Sequence, residues 1–136
     1  MPESVVIPVL AYADVRAACT WLCGAFGFVE RLRIGEHRAQ LSFGSGSIVV
    51  AAAPAHAPAQ PRTHAGSFSV MVRVANVDAH YARAKEFGAT VLSPPNDFPY
   101  GERQYSAQDI GGYVWTFSQS IADVDPSAWG GVLSHP

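Results

Sequence analysis

The chain has 136 residues, 49% of them apolar and 15% charged, with a formal net charge of −2. That length suits one domain with a single core, and the composition excludes a disordered chain. No Lys/Arg cluster is present to hold phosphates, no stretch approaches the roughly 18 apolar residues of a membrane span, and no signal-peptide pattern opens the chain, so the expectation is a cytoplasmic protein with no nucleic-acid or membrane partner.

Residues 5–12 are β-branched and apolar, the pattern of a strand buried on both faces. Asp14 then precedes Val15, Ala18, Cys19, Leu22 and Phe26, a helical period with an N-cap, and Gly24 and Gly27 are expected to end it. Cys19 and Cys23 lie four apart on that helix and point the same way, which suits a disulfide badly; they read as small buried hydrophobes. Residues 28–34, 37–43 and 48–53 follow as strands, with turns at Gly35 and at residues 44–47. The first half therefore reads β-α-β-β-β.

Residues 54–66 are rich in Pro and Ala, the composition of a linker, and carry His56 and His64. The pattern then restarts with a strand at 68–74. Asn76 or Asp78 caps a helix bearing Val77, Tyr81, Ala84 and Phe87, ended by Gly88. A strand at 90–92, a proline-rich turn with Phe98 and Tyr100, a strand at 104–107, a turn at 109–112 and a strand at 113–117 complete it. The AFGFV of residues 25–29 echoes the EFGAT of residues 86–90, and the turn at 44–47 answers that at 109–112. Such a repeat means a duplicated module whose sheets need each other for burial. The modules span about 5–53 and 67–118, with a linker at 54–66 and a tail at 119–136.

Four segments carry a resemblance: VLAYAD at 9–14, AFGF at 25–28, VRVANVD at 72–78 and YGERQYSAQDIGGYVWTF at 100–117. The chain resembles the glyoxalase / bleomycin-resistance / dioxygenase superfamily, or vicinal oxygen chelate fold, though Ile110 and Gly111 replace the usual Pro and acidic residue of the last turn. The resemblance implies an α+β fold: two βαβββ modules with mixed, curved sheets around a U-shaped cleft and helices on the outer face. It also implies frequent homodimers and, in many members, a divalent metal held by the first and last strands of each module. Those positions fall here on Ile7, Val49, Ser69 and Thr116. Two cannot bind a metal and two are hydroxyls, weak ligands for transition ions. Their neighbours Val6, Pro8, Ile48, Val50, Phe68, Val70, Trp115 and Phe117 offer nothing better. No metal site and no cofactor are expected. His37, His80 and His135, like the loop histidines, read as surface residues.

Strand alternation sets Ile7, Val9, Val49, Ala51, Ser69, Met71, Arg73, Val114 and Thr116 on the cleft side, with Gln104 and Ser106 inward and Glu102 at the rim. Phe98 and Tyr100 stand at the mouth, either to stack on a planar ligand or to fold on each other. Tyr113, Trp115 and Phe117 turn to the helices, and Trp21 is core or a dimer contact. Arg103 and Asp109 are expected to pair, and Trp129 to dock the tail on the domain or on a second subunit. An apolar cleft with placed hydroxyls and amides suits a sizeable, partly hydrophobic ligand. The reading is a non-catalytic small-molecule binding protein, like the bleomycin-resistance members that sequester a hydrophobic or aromatic drug. The alternatives are a glyoxalase-like lyase, isomerase or dioxygenase with an atypical or absent metal site, using Glu102, Arg73 or a loop histidine, and a relative that binds a metabolite.

Overall fold

A computed structural model describes residues 4–54 and 68–134. The first module runs β1 (Val9–Tyr12), α1 (Val15–Phe26), β2 (Val29–Ile34), β3 (Arg38–Phe43) and β4 (Gly46–Ala52). The second runs β5 (Val70–Arg73), α2 (Val77–Glu86), β6 (Thr90–Phe98), β7 (Glu102–Gln108) and β8 (Val114–Ser120), followed by a short 3-10 helix, Pro126–Trp129. Each module forms one four-stranded mixed sheet, ordered β1-β4-β3-β2 and β5-β8-β7-β6. The first strand pairs parallel with the last, and the remaining ladders are antiparallel. The α+β two-module architecture is therefore as the sequence pattern and the resemblance require.

Both helices start on side-chain caps. The Asp14 carboxylate accepts from Ala17 N–H at 3.0 Å, and Asn76, rather than Asp78, accepts from Ala79 N–H at 3.0 Å. Gly24 does not end α1. The helix passes through it to Phe26 and stops at Gly27, whose φ of 82° gives the left-handed cap. Gly24 is instead a notch: a Cβ there would lie 2.2 Å from the Phe87 ring, so its absence lets the end of α2 close on α1.

One core serves both modules. Phe26, fully buried at the end of α1, packs against Trp115 and Phe117 of β8 at ring-centre distances of 5.4 and 4.7 Å. Two polar joints accompany it. Arg83 donates to the carbonyls of Gly24 and Cys23 at 2.6 and 3.1 Å, joining α2 to the last turn of α1, where the Cys23 carbonyl also accepts from Gly27 N–H. At the opposite side the buried Asp109 carboxylate accepts from Tyr12 Oη at 2.5 Å and Trp115 Nε1 at 2.9 Å, tying the end of β1 to the β7–β8 turn.

Several expectations change. Residues 5–8 precede the first strand, Val5 and Val6 are almost fully exposed, and Val9 is 57% exposed, so this segment is not buried on both faces. β6 extends through Pro94 and Pro95 to Phe98, where a turn was expected. As an edge strand it needs no outward N–H there, and its register shifts across Ser93–Asn96 absorb the prolines. Arg103 does not pair with Asp109. It bonds Asp97 at 2.6 Å and Asp78 at 2.9 Å, because it points away from the core that Asp109 enters. The Arg103 guanidinium holds the Asp97 carboxyl below its usual range. His80 is not a surface residue: its Nε2 lies 2.8 Å from the Phe26 carbonyl oxygen, its Nδ1 meets Tyr105 Oη, and its ring lies 4.1 Å from that of Phe117. Burial pushes its pKa down. His37 is exposed in the turn before β3. His56, His64 and His135 lie outside the described residues, as does most of the linker. Cys19 and Cys23 are free thiols, and burial raises the pKa of both.

Candidate functional site

The helices cover one face of each sheet and leave the other open, and the ladder registers assign its residues. In the first module Val9 stands beside Val49, Ala11 beside Ala51, Gln40 beside Val49 and Leu32 beside Gln40. Their neighbours Leu10, Val50 and Leu41 face the core, so this set lies on the open face. It is apolar apart from Gln40, whose amide oxygen accepts from Arg31 at 2.7 Å.

The second module presents a different surface. Met71 stands beside Thr116, Thr116 beside Ser106, Gln104 beside Ser118, and Val114 beside Gln108. Trp115, Phe117, Tyr105 and Ala107 alternate with these into the core. The open face carries a hydrogen-bonded set: Ser106 and Thr116 share a bond of 2.8 Å, and Gln104 Nε2 donates to Ser118 Oγ at 3.1 Å. Ser118 Oγ donates in turn to Glu102. Arg73 reaches the same carboxylate at 3.6 Å with a side chain 69% exposed, a loose ion pair facing solvent. Ser118 was missed as a site residue, although continuing the alternation two residues past Thr116 would have found it.

Between the modules lies a cleft of about 610 Å³. One wall is β5, from Val70 to Arg73; the other is Ser4, Val6 and Pro8 with the turn from Phe43 to Ile48, and Phe28 lies at its base. The predicted set is thus divided. Met71 and Arg73 line the cleft itself, and Glu102 reaches it through Arg73. Val9 and Val49 lie on one open face; Gln104, Ser106, Val114 and Thr116 lie on the other. Ile7 and Ser69 fall just before the strands that were to carry them. Phe98 and Tyr100 stack on each other at 5.4 Å and 16°, and Trp129 packs edge-on against Tyr100 at 5.6 Å. The tail is therefore docked on its own domain through these rings, two of which rest on each other.

The metal of the resemblance does not fit this chain. Val49 and Thr116 do occupy paired interior strands, but Ile7 and Val49 carry no donor and Ser69 is exposed. Among the described residues no group of three His, Cys, Asp or Glu side chains is placed to hold an ion.

A family model described as the glyoxalase/bleomycin resistance protein/dioxygenase superfamily matches residues 5–117. The chain belongs to this superfamily. Among solved superfamily-like structures, TioX from Micromonospora sp. ML1 is 33% identical, with a TM-score of 0.70 over 90% of this chain and 100% of that one. A glyoxalase/bleomycin resistance protein/dioxygenase from Nocardioides shares the fold at 18% identity and a TM-score of 0.68, over 97% and 90% of the two chains. Lactoylglutathione lyase from Agrobacterium tumefaciens does so at 16% and 0.61, over 87% and 94%. No curated protein sequence matches the chain. Among the described residues no helix is long and apolar enough to cross a membrane.

Proposed function

We propose that this superfamily member is a non-catalytic small-molecule binding protein that sequesters a hydrophobic or aromatic, antibiotic-like compound. The carrying observation is the inter-module cleft of about 610 Å³, whose walls are mainly apolar and whose rim holds the Arg73–Glu102 pair. That volume matches sites for drug-sized ligands, where apolar walls supply affinity and a few polar groups fix orientation. The four positions where the family holds a metal carry methyl groups and hydroxyls here, and none of them lines that cleft. The reading includes a cytoplasmic location and a homodimer; the exposed apolar side chains of Val9 and Leu32 on the open face of the first sheet favour the homodimer.

The test is calorimetric titration of the purified protein with bleomycin and a panel of aromatic and peptide antibiotics, followed by mass spectrometry of the recovered compound. Saturable binding of one compound, recovered unchanged and weakened at least tenfold by Met71→Asp, is expected. Chemically altered compound, or a stoichiometric divalent ion held at the cleft, overturns the reading in favour of a lyase, isomerase or dioxygenase.

A further inference from the structure

The charges of β2 are sorted between the two faces of the first sheet. Glu30 and Arg33 stand beside Leu41 and Ala39, whose side chains enter the core, so both lie on the helix side. There Glu30 meets Arg16 at 2.7 Å and Arg33 at 3.4 Å. The bulge between Glu30 and Leu32 inserts Arg31 as an extra residue and turns it to the open face together with Leu32. On that face Arg31 Nη1 donates to Gln40 Oε1 at 2.7 Å. Arg38 shares the face, beside Ala51 and about 6.7 Å along β3 from Gln40. No acid stands among the strand residues of this face. Among the described residues neither Arg31 nor Arg38 has an ion-pair partner.

Gln40 adds an independent observation. It sits in mid-row between Val49 and Leu32 and is 8% exposed. A guanidinium only donates, so Arg31 fixes the amide with its oxygen turned inward to the bond and its NH2 turned away. That Nε2 has no partner among the described residues, yet it is not fully enclosed, so it faces the opening. A donor this deep is costly to leave unpaired, and beside two guanidiniums the acceptor that suits it best is an anion.

We infer that the open face of the first sheet binds a carboxylate carried on an apolar body, held by Arg31, Arg38 and the Gln40 amide. The planar carboxylate matches the guanidinium fork, and the body lies along Val49 and Leu32. The same apolar floor disfavours a dianion such as a phosphate monoester, because a second charge would lose its water over methyl groups. The site goes beyond the sequestration reading, since none of these residues lines the inter-module cleft. A second copy of the chain is disfavoured as the anion. The same face of a partner sets arginine against arginine, and Glu102, on the other open face, is already held by Ser118 and Arg73. A homodimer through Val9 and Leu32, at the ends of the row, leaves Arg31 and Gln40 without an acid and is compatible with the site.

The experiment is a titration of ¹⁵N-labelled full-length protein with 2-naphthoate, with the neutral 2-naphthalenemethanol and with inorganic phosphate, at fixed pH and ionic strength. Saturable shifts of the Gln40 side-chain NH2 and the Arg31 Nε–H signals are expected with naphthoate, and binding weaker by about tenfold or more with the alcohol. Arg31→Gln removes the cation, and Gln40→Glu keeps an acceptor for Arg31 while replacing the NH2 by a charge. Each should weaken naphthoate by about tenfold or more and leave the alcohol unchanged, whereas Arg33→Gln, on the opposite face of β2, should alter neither. If a variant fails to fold, the Gln40 side-chain signal of the wild-type protein still decides. Equal affinity for acid and alcohol overturns the inference, as does naphthoate binding that leaves the Gln40 and Arg31 signals in place. Equal shifts with phosphate overturn the choice of a carboxylate. Shifts that grow with protein concentration in the absence of ligand overturn it too, by making a second copy the occupant. An antibiotic bound in the inter-module cleft of a protein that ignores naphthoate overturns this inference alone.

Discussion

Removing the Asp109 carboxylate should be among the most costly single changes in this protein. It accepts four hydrogen bonds: from Tyr12 Oη at 2.5 Å, Trp115 Nε1 at 2.9 Å, Gly111 N–H at 2.8 Å and Tyr113 N–H at 3.0 Å. Tyr12 and Trp115 are 4% and 0% exposed, so water cannot replace the lost acceptor without opening the core. A buried donor left unpaired costs about 1–3 kcal/mol. Asp109→Ala orphans two such donors and loosens two backbone N–H groups of the turn, so a loss of about 3–5 kcal/mol is expected. That is a large part of the roughly 5–15 kcal/mol that holds a domain together. Asp109→Asn should fall between. The Tyr12 hydroxyl can rotate to accept, but the Trp115 N–H then faces an amide N–H, leaving one orphan and a cost of about 1–3 kcal/mol. Urea unfolding at pH 7 checks the order wild type, Asn, Ala, and Tyr12→Phe in a double-mutant cycle isolates the bond between the modules. An Asp109→Ala protein within about 1 kcal/mol of wild type would refute the reasoning, since it would mean these donors find water.

Three further outcomes are expected. His80 has its pKa lowered by burial, so the unfolded chain takes up its proton first. Its contribution is complete above about pH 6.5 and declines as pH falls from there toward the folded value; His80→Gln should flatten that slope in urea midpoints between pH 7.5 and 5, and an unchanged slope would sink the assignment. Gly101 has φ of 85° and a Cβ there would lie 2.2 Å from the Ala122 carbonyl oxygen, while Gly44 has φ of 56° with open space around it. Gly44→Ala should cost about 1–2 kcal/mol from backbone strain alone. Gly101→Ala should cost more and speed hydrogen exchange of Ile121 and Ala122, whose amides bond the Gly101 carbonyl at 2.9 and 3.1 Å; equal thermal shifts would argue against the clash. Phe26→Ala should lose about 3–5 kcal/mol, because the ring bridges both modules, and calorimetry should show one transition rather than two.

Legibility differed between the fold and the site. The duplicated βαβββ order was readable because each element carries its own local signal: Asp14 and Asn76 as caps, Gly27 and Gly88 as terminators, and alternation along β7 and β8. Gly24 misled because a glycine that ends a helix and one that admits a neighbouring ring look alike along the chain. His80 misled for a related reason. Its two nitrogen partners, Phe26 and Tyr105, are distant in sequence, so nothing near it announced that it was enclosed. Arg103 is a third case: Asp97 and Asp109 are equally distant from it along the chain, but Asp97 is its cross-strand partner in the β6–β7 hairpin and took the pairing expected of Asp109.

By itself the sequence determined which residues alternate, where the chain turns, and that Ile7, Val49, Ser69 and Thr116 are poor metal donors. These are properties of residue type and of spacing within a few positions, the range over which backbone period and side-chain chemistry act. Only the tertiary structure decided that the two modules share one core through Phe26, that Asp109 binds β1 to the β7–β8 turn, and that β5 forms one wall of the cleft. Those features depend on how two separately readable modules meet. Their packing is settled by contacts between residues 50 to 100 positions apart, such as Phe26 with Trp115 and Tyr12 with Asp109, which no local pattern encodes.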